Sequence, residues 1–283
     1  MRRWPRARSA SPRDDGPPRP RSRPRSKRFR PSSRVCVGSR PDSGGVRLFL
    51  FDIDGTLITA RGAGRAAFNR ALVEVFGTVG PAEAGYDFRG RTDLRILQDL
   101  MAAAGFSDEE IAARREACFA AYARELAVVI GDGSRVQILP GVPALVRALA
   151  ARDDALVGLL TGNVEAGARI KLAATGLWPL FQVGAFGSDD IDRRRLPAIA
   201  CDRARVVTRR EFPFDRVVII GDTPLDVDCA RACGARAIAV ATGFYPYDEL
   251  EGCGPDLIFK DFADVPDVVA RLTDAGEHGG PTP

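Results

Sequence analysis

The stretch VRLFLFDIDGTL (46–57) decides the fold. Apart from Arg47 it is apolar up to Asp52, then a second acid follows at Asp54, and a glycine at Gly55. A short apolar run closed by polar and turn residues suits a parallel strand buried on both faces. Two further runs end the same way. ALVGLLT (155–161) leads into Gly162 and Asn163, and RVVIIGD (216–222) leads into Thr223, Pro224 and Asp226. After Leu139-Pro140-Gly141 strand-like and helix-like stretches alternate. Helices are expected over 141–152, from Asn163 to Thr175 before Gly176, from Leu196 to Val207, from Pro224 to Cys233 before Gly234, and over about 264–274. Strands are expected at 183–187, 235–242 and 256–259. This alternation predicts the α/β class, a Rossmann-like parallel sheet with helices on both faces.

Residues 59–137 interrupt that rhythm and read as wholly helical. Apolar positions recur at helical spacing over 62–76, 92–104 and 108–130, and Ser107 with Glu110 forms a capping box. The block is expected to be an inserted all-α cap domain over 61–137, with the catalytic core at 46–60 and 138–275.

The chain has 283 residues, 45% hydrophobic and 28% charged, within the range of ordinary globular proteins. No run approaches the roughly 18 apolar residues of a membrane-spanning helix. Six cysteines, none in a CxxC pair, speak against a disulfide scaffold and a zinc ribbon, and suit the reducing cytoplasm. The single histidine, His278, removes histidine-rich metal sites and argues against a Ser-His-Asp mechanism, so catalysis falls to carboxylates. The net charge of +4 joins two unlike segments. Residues 1–46 hold 14 basic and three acidic residues, and the remainder carries a net −7. Residues 1–45, rich in Arg, Pro and Ser, lack apolar periodicity and read as disordered. A nucleic-acid-binding arm, a transit peptide and a start codon assigned too far upstream are the competing readings. Residues 276–283 read as a flexible C-terminus.

In an open α/β sheet, the residues that follow the strands gather beyond its carboxyl edge. The three apolar runs place Asp52, Asp54, Thr161, Asn163, Asp222 and Asp226 there. Taken singly, each is also an ordinary turn or cap residue, and Thr223, Pro224 and Asp226 make a good helix start by themselves. Taken together, so many carboxylates repel one another unless a cation neutralises them. Oxygen ligands without histidine favour Mg²⁺. Asp52 and Asp54, two residues apart in extended backbone, point the same way.

FLFDIDGTL (49–57), LLTGN (159–163) and VVIIGDTPLD (217–226) resemble, in that order, the first, second and fourth motifs of the haloacid dehalogenase superfamily. The likeness is to its phosphatases, of the phosphoglycolate phosphatase-like subgroup with a helical cap, and spans about 46–275. It implies that Asp52 is a nucleophile forming an aspartyl-phosphate and that Asp54 is the general acid and later the base. It implies a Mg²⁺ ion held by Asp52, the Asp54 carbonyl and Asp222, with Asp226 supporting the metal shell or the third motif. Thr161 and the amides of Gly162 and Asn163 would bind phosphate oxygens, as amides at a helix N-terminus can. An acid at position 54 separates the chain from the superfamily's dehalogenases and P-type ATPases.

The third motif departs from the pattern. Many members carry Lys-Pro there, whereas SDDIDRRRLPAIA (188–200) has no lysine. Arg193 is favoured by position over Arg194 and Arg195, although a planar guanidinium does not replace a point charge. FRGRTDL (88–94) is similar to a substrate loop, with Arg91 as the contact to an anionic leaving group. The same stretch also reads as a plain loop capped by Thr92 or Asp93.

The expected function is Mg²⁺-dependent hydrolysis of a small phosphorylated metabolite. A phosphomutase of the β-phosphoglucomutase type would use the same core residues and differ only in the cap. Nucleic-acid binding through the basic tail is the third reading, weakened because the whole basic excess lies in the stretch without a fold. No membrane partner is expected.

Overall fold

A computed structural model describes residues 45–274. The readings made for residues 1–44, for His278 and for the last residues lie outside that range. In chain order the elements are β1 (Arg47–Phe51), β2 (Ile58–Thr59), α1 (Ala63–Phe76), α2 (Asp93–Ala103), α3 (Asp108–Ile130), β3 (Gln137–Ile138), α4 (Val142–Ala150), β4 (Ala155–Leu160) and α5 (Glu165–Ala173). They continue with β5 (Val183–Ala185), α6 (Leu196–Thr208), β6 (Val217–Gly221), α7 (Pro224–Cys233), β7 (Arg236–Val240), α8 (Tyr247–Gly252), β8 (Leu257–Phe259) and α9 (Val265–Thr273).

Six strands form one sheet in the order β5-β4-β1-β6-β7-β8, with every neighbouring pair parallel. Side chains alternate between its faces. Phe49 and Phe51 join a core with Val157, Leu159, Val218 and Ile220 on one side, and Leu48 and Leu50 join Leu156, Leu160 and Ile219 on the other. Both faces are covered, which is why the strand runs read as continuous apolar sequence. Phe51 lies beside Leu159 and Ile220, so the carboxyl ends of β4, β1 and β6 emerge level with one another.

Helices α1 to α3 enclose a third core built on Phe68, Leu72, Leu97, Leu100, Tyr122 and Leu126. The expectation of a wholly helical 59–137 needs correction. Ile58 and Thr59 pair antiparallel with Ile138 and Gln137, so a two-stranded ribbon stands at the root of the insertion. Residues 77–92 are loop with one 3-10 turn at Glu83–Gly85. Two-residue strands carry no periodicity to read. The short helix α8 was likewise unexpected.

The loop before α2 fastens the insertion to the sheet edge. Thr92, the N-cap of α2, accepts from the Arg95 amide at 3.1 Å and donates its hydroxyl to the Ile191 carbonyl at 2.9 Å. The Asp93 amide donates to the Gly162 carbonyl at 2.7 Å. Its carboxylate accepts from the Val164 amide at 2.8 Å. Val164 is the N-cap of α5 and has no side chain able to cap it, so Asp93 does so from outside. The Arg89 guanidinium stacks 3.6 Å from the centre of the Phe244 ring, and the Tyr245 hydroxyl donates to Asp87 at 3.3 Å.

Phe49→Ala removes a buried ring from the central strand. It is expected to cost about 3–5 kcal/mol and to lower Tm by roughly 10 °C in thermal unfolding. Val128→Ala, at a 68% exposed position, should stay within about 2 °C of the native chain. Burial pushes the Asp93 carboxyl up to about 7, against the opposing Val164 amide. A carboxyl raised in the fold stabilises fully below its unfolded value of about 4, and that contribution is lost as pH rises through 7. Asp93→Asn keeps an oxygen for Val164. It is expected to match the native chain near pH 4 and to melt roughly 5 °C higher at pH 8.

Candidate active site

Asp52 follows β1, Asp222 follows β6, and Asp226 lies in the first turn of α7. All three are buried, and one carboxylate oxygen of each comes within 4.8 Å of the others. Arg193 is buried among them. Its Nη2 lies 2.5 Å from Asp226 Oδ1 and 3.4 Å from Asp52 Oδ1, and its Nη1 donates to the Gly90 carbonyl at 3.0 Å. The other Asp226 oxygen accepts from the Thr223 amide at 3.1 Å and hydroxyl at 2.7 Å, so both of its oxygens are engaged. Thr56 donates its hydroxyl to Asp222 at 3.1 Å. Gly55 turns the chain between the two acids of the first run and the Asp222 carboxylate. Its φ of +87° is left-handed, and a side chain there would collide with Asp222.

One arginine does not balance three buried carboxylates. Burial pushes Asp52 up to about 6, a rise that Arg193 opposes and that Asp226 and Asp54 reinforce. Burial, then Asp52 and Asp226, push Asp222 well above the ordinary carboxylate range. Buried oxygen donors with unmatched negative charge and no histidine fit a hard divalent cation.

Asp54 points into a different set of partners. Its Oδ2 accepts from Asn163 Nδ2 at 2.9 Å and from Lys171 Nζ at 2.5 Å, and Lys171 also donates to Asn163 Oδ1 at 2.6 Å. The sequence reading did not single out Lys171. A signal was present: Val164, Gly167, Ala168, Lys171 and Leu172 share the buried face of α5, so a lysine stands in an apolar register. Thr161 is fully buried, and its hydroxyl accepts from the Asn163 amide at 3.3 Å and side chain at 2.8 Å.

A cavity of about 300 Å³ separates the carboxyl edge from the insertion. From the core it is lined by Asp52, Asp54, Gly162, Asn163, Lys171, Arg193 and Asp222; Thr161 and Asp226 stand behind the wall. Arg61, Arg65, Arg89, Arg91, Phe68, Phe88 and Tyr122 line the opposite side. Arg91 is exposed, donates its Nε to the Asp87 carbonyl at 3.0 Å and stacks 5.3 Å from the Tyr86 ring. Of the three adjacent arginines only Arg193 reaches this cavity. Arg194 pairs with Asp228 at 2.8 Å, and Arg195 lies 3.5 Å from Asp190.

A haloacid dehalogenase-like hydrolase family model matches residues 49–231. The chain is 30% identical over 238 residues to a phosphoglycolate phosphatase of Rhodospirillum rubrum, covering 83% of this chain and 95% of that protein. It is 29% identical over 226 residues to a phosphoglycolate phosphatase of Cereibacter sphaeroides, covering 79% and 97%. Among solved structures, a hydrolase from Pseudomonas syringae superposes with a TM-score of 0.61 at 22% identity, over 81% of this chain and all of that one, a likeness of fold. The expected fold class, a parallel α/β sheet covered by helices, agrees with both the structure and these relatives. The matched segment runs from the first acid-bearing strand into α7, and by it the chain belongs to the haloacid dehalogenase-like hydrolase family.

Proposed function

We propose that the chain hydrolyses a small phosphate monoester through an aspartyl-phosphate intermediate, with phosphoglycolate as a first candidate substrate. The observation that carries this is the pairing of two acids in one short turn with unlike partners. Asp52 lies buried beside Arg193, while Asp54 faces the cavity and is held by Asn163 and Lys171. The names of the two curated relatives support the substrate class.

In this reading an Asp52 oxygen attacks phosphorus, and the bond from phosphorus to the ester oxygen breaks. Asp54 gives its proton to the departing oxygen, then takes one from the water that cleaves the acyl-phosphate. Arg193 holds Asp52 in line and balances charge on the phosphoryl oxygens. The Gly162 and Asn163 amides, at the start of α5, supply donors to those oxygens, and Thr161 acts by fixing Asn163. Asp52, the Asp54 carbonyl and Asp222 would hold Mg²⁺, which when bound supplies charge neutralisation at phosphorus. Asp226, with both oxygens engaged, acts through Arg193 and Thr223. The insertion serves as the cap that excludes water, with Arg91 beside the leaving group. Five cysteines of the described residues are free thiols, which suits the cytoplasm. No helix among the described residues is long and apolar enough to cross a membrane.

Asp52→Asn is isosteric and lacks the nucleophile. It is expected to lower phosphate release from phosphoglycolate by about three orders of magnitude or more. Its Tm in chelator should equal or exceed that of the native chain, because it removes one of three crowded carboxylates. Retained turnover in this variant would falsify the mechanism. Chelation should abolish release and Mg²⁺ restore it. Mg²⁺ should also raise the Tm of the native chain and not that of Asp222→Asn. Phosphate released in proportion to ester lost separates this reaction from a phosphomutase.

A further inference from the structure

Tyr122 is a group in the cavity wall whose chemistry the reading above leaves unused. It lies on α3, is 2% exposed, and packs edge-on against Phe68 with ring centres 5.2 Å apart. It lines the cavity, with its hydroxyl 3.6 Å from a methyl placed on Gly64. A phenylalanine would fill the same space without presenting a donor to the cavity. Burial also pushes the phenol well above its ordinary range, so the hydroxyl keeps its proton and donates.

A second donor stands beside it. The Lys171 ammonium has three protons and gives two of them to Asp54 and Asn163. Gly64, the second residue of α1, lies next to both groups. A methyl placed on it would stand 3.3 Å from Lys171 Nζ and 3.6 Å from the Tyr122 hydroxyl, its two nearest neighbouring groups. Glycine weakens a helix relative to alanine, and here its bare Cα leaves a slot the width of one atom within reach of both donors. Gly167 on α5 makes room for the ring itself, since a side chain there would come within 3.2 Å of Tyr122 Cε1.

We propose that Tyr122, with Lys171, reads an oxygen of the leaving group in the slot beside Gly64, and so determines which phosphate esters are cleaved. The inference rests on the phosphatase reading, in which Asp54 protonates the ester oxygen. Lys171 touches Asp54 on one side and the slot on the other, which sets the slot next to the carbon that neighbours the ester. Two converging donors select an acceptor. The favoured substrates are monoesters whose leaving alcohol carries a hydroxyl or carboxylate oxygen on the adjacent carbon.

The test compares phosphate release from phosphoglycolate, 2-hydroxyethyl phosphate and ethyl phosphate by the native chain, Tyr122→Phe and Gly64→Ala. The native chain is expected to prefer the two oxygenated esters. Tyr122→Phe should lower kcat/KM for these by about tenfold more than for ethyl phosphate. Gly64→Ala should show the same selective loss with no fall in Tm, since alanine favours the helix; this separates a filled slot from a damaged fold. Losses that are equal across the three esters overturn the inference, and so does release that ignores both substitutions. Absence of release by the native chain from every ester overturns the phosphatase reading, and this inference with it.

Discussion

Three carboxylates and one guanidinium share a space from which water is largely excluded, and the rest of the molecule is arranged around that imbalance. The parallel order puts β1 between β4 and β6, so the acids that end β1 and β6 must face each other. Such a convergence is unfavourable unless cations are buried with it. Arg193 is the first of these. Its guanidinium binds Asp226, approaches Asp52 and also grips the Gly90 carbonyl of the insertion. The charge that makes the acid cluster tolerable is thus also a tie between sheet and insertion.

Lys171 is the second cation, and it serves the other acid. Many members carry a lysine in the third motif, as the resemblance implies; here Arg193 stands in that stretch and the lysine of the site, Lys171, lies on α5. Arg193 sits with the buried acids on the sheet side. Lys171 sits under Asp54 and Asn163 on the cavity side. A forked, permanently charged group suits two fixed carboxylates, and a compact ammonium suits a crowded junction of three partners. The two acids of the first run therefore differ in environment although they are separated by one residue.

Much of this was legible in the sequence because the sheet is buried on both faces. Continuous apolar runs ending in acids announce strands and their functional edge together. The helices α1, α2 and α3 were legible from periodicity, and Arg193 from its position just before α6. What escaped reading depends on distant partners. Asp93 looked like a local cap of α2, yet its carboxylate caps α5 across the chain. Asp226 was expected to support the metal shell or the third motif, but that its second oxygen would be held by Thr223 could not be read locally. The ribbon of β2 and β3 joins residues almost 80 positions apart through two-residue strands, which leave no pattern of their own. Lys171 was visible only as a polar residue on an apolar helix face, and nothing local says what it bonds.

The capping of α5 by Asp93 ties the insertion to the helix start beside Gly162 and Asn163. Helix α5 begins just after Gly162 and Asn163, whose amides are proposed to bind phosphate, and carries Lys171 near its far end. Any motion that lifts the insertion withdraws the Asp93 carboxylate and leaves the Val164 amide bare at the end proposed to hold the anion. On the proposed reading, opening would loosen the floor of the site as well as its roof, and a bound product would be held least firmly at the moment its exit is clear.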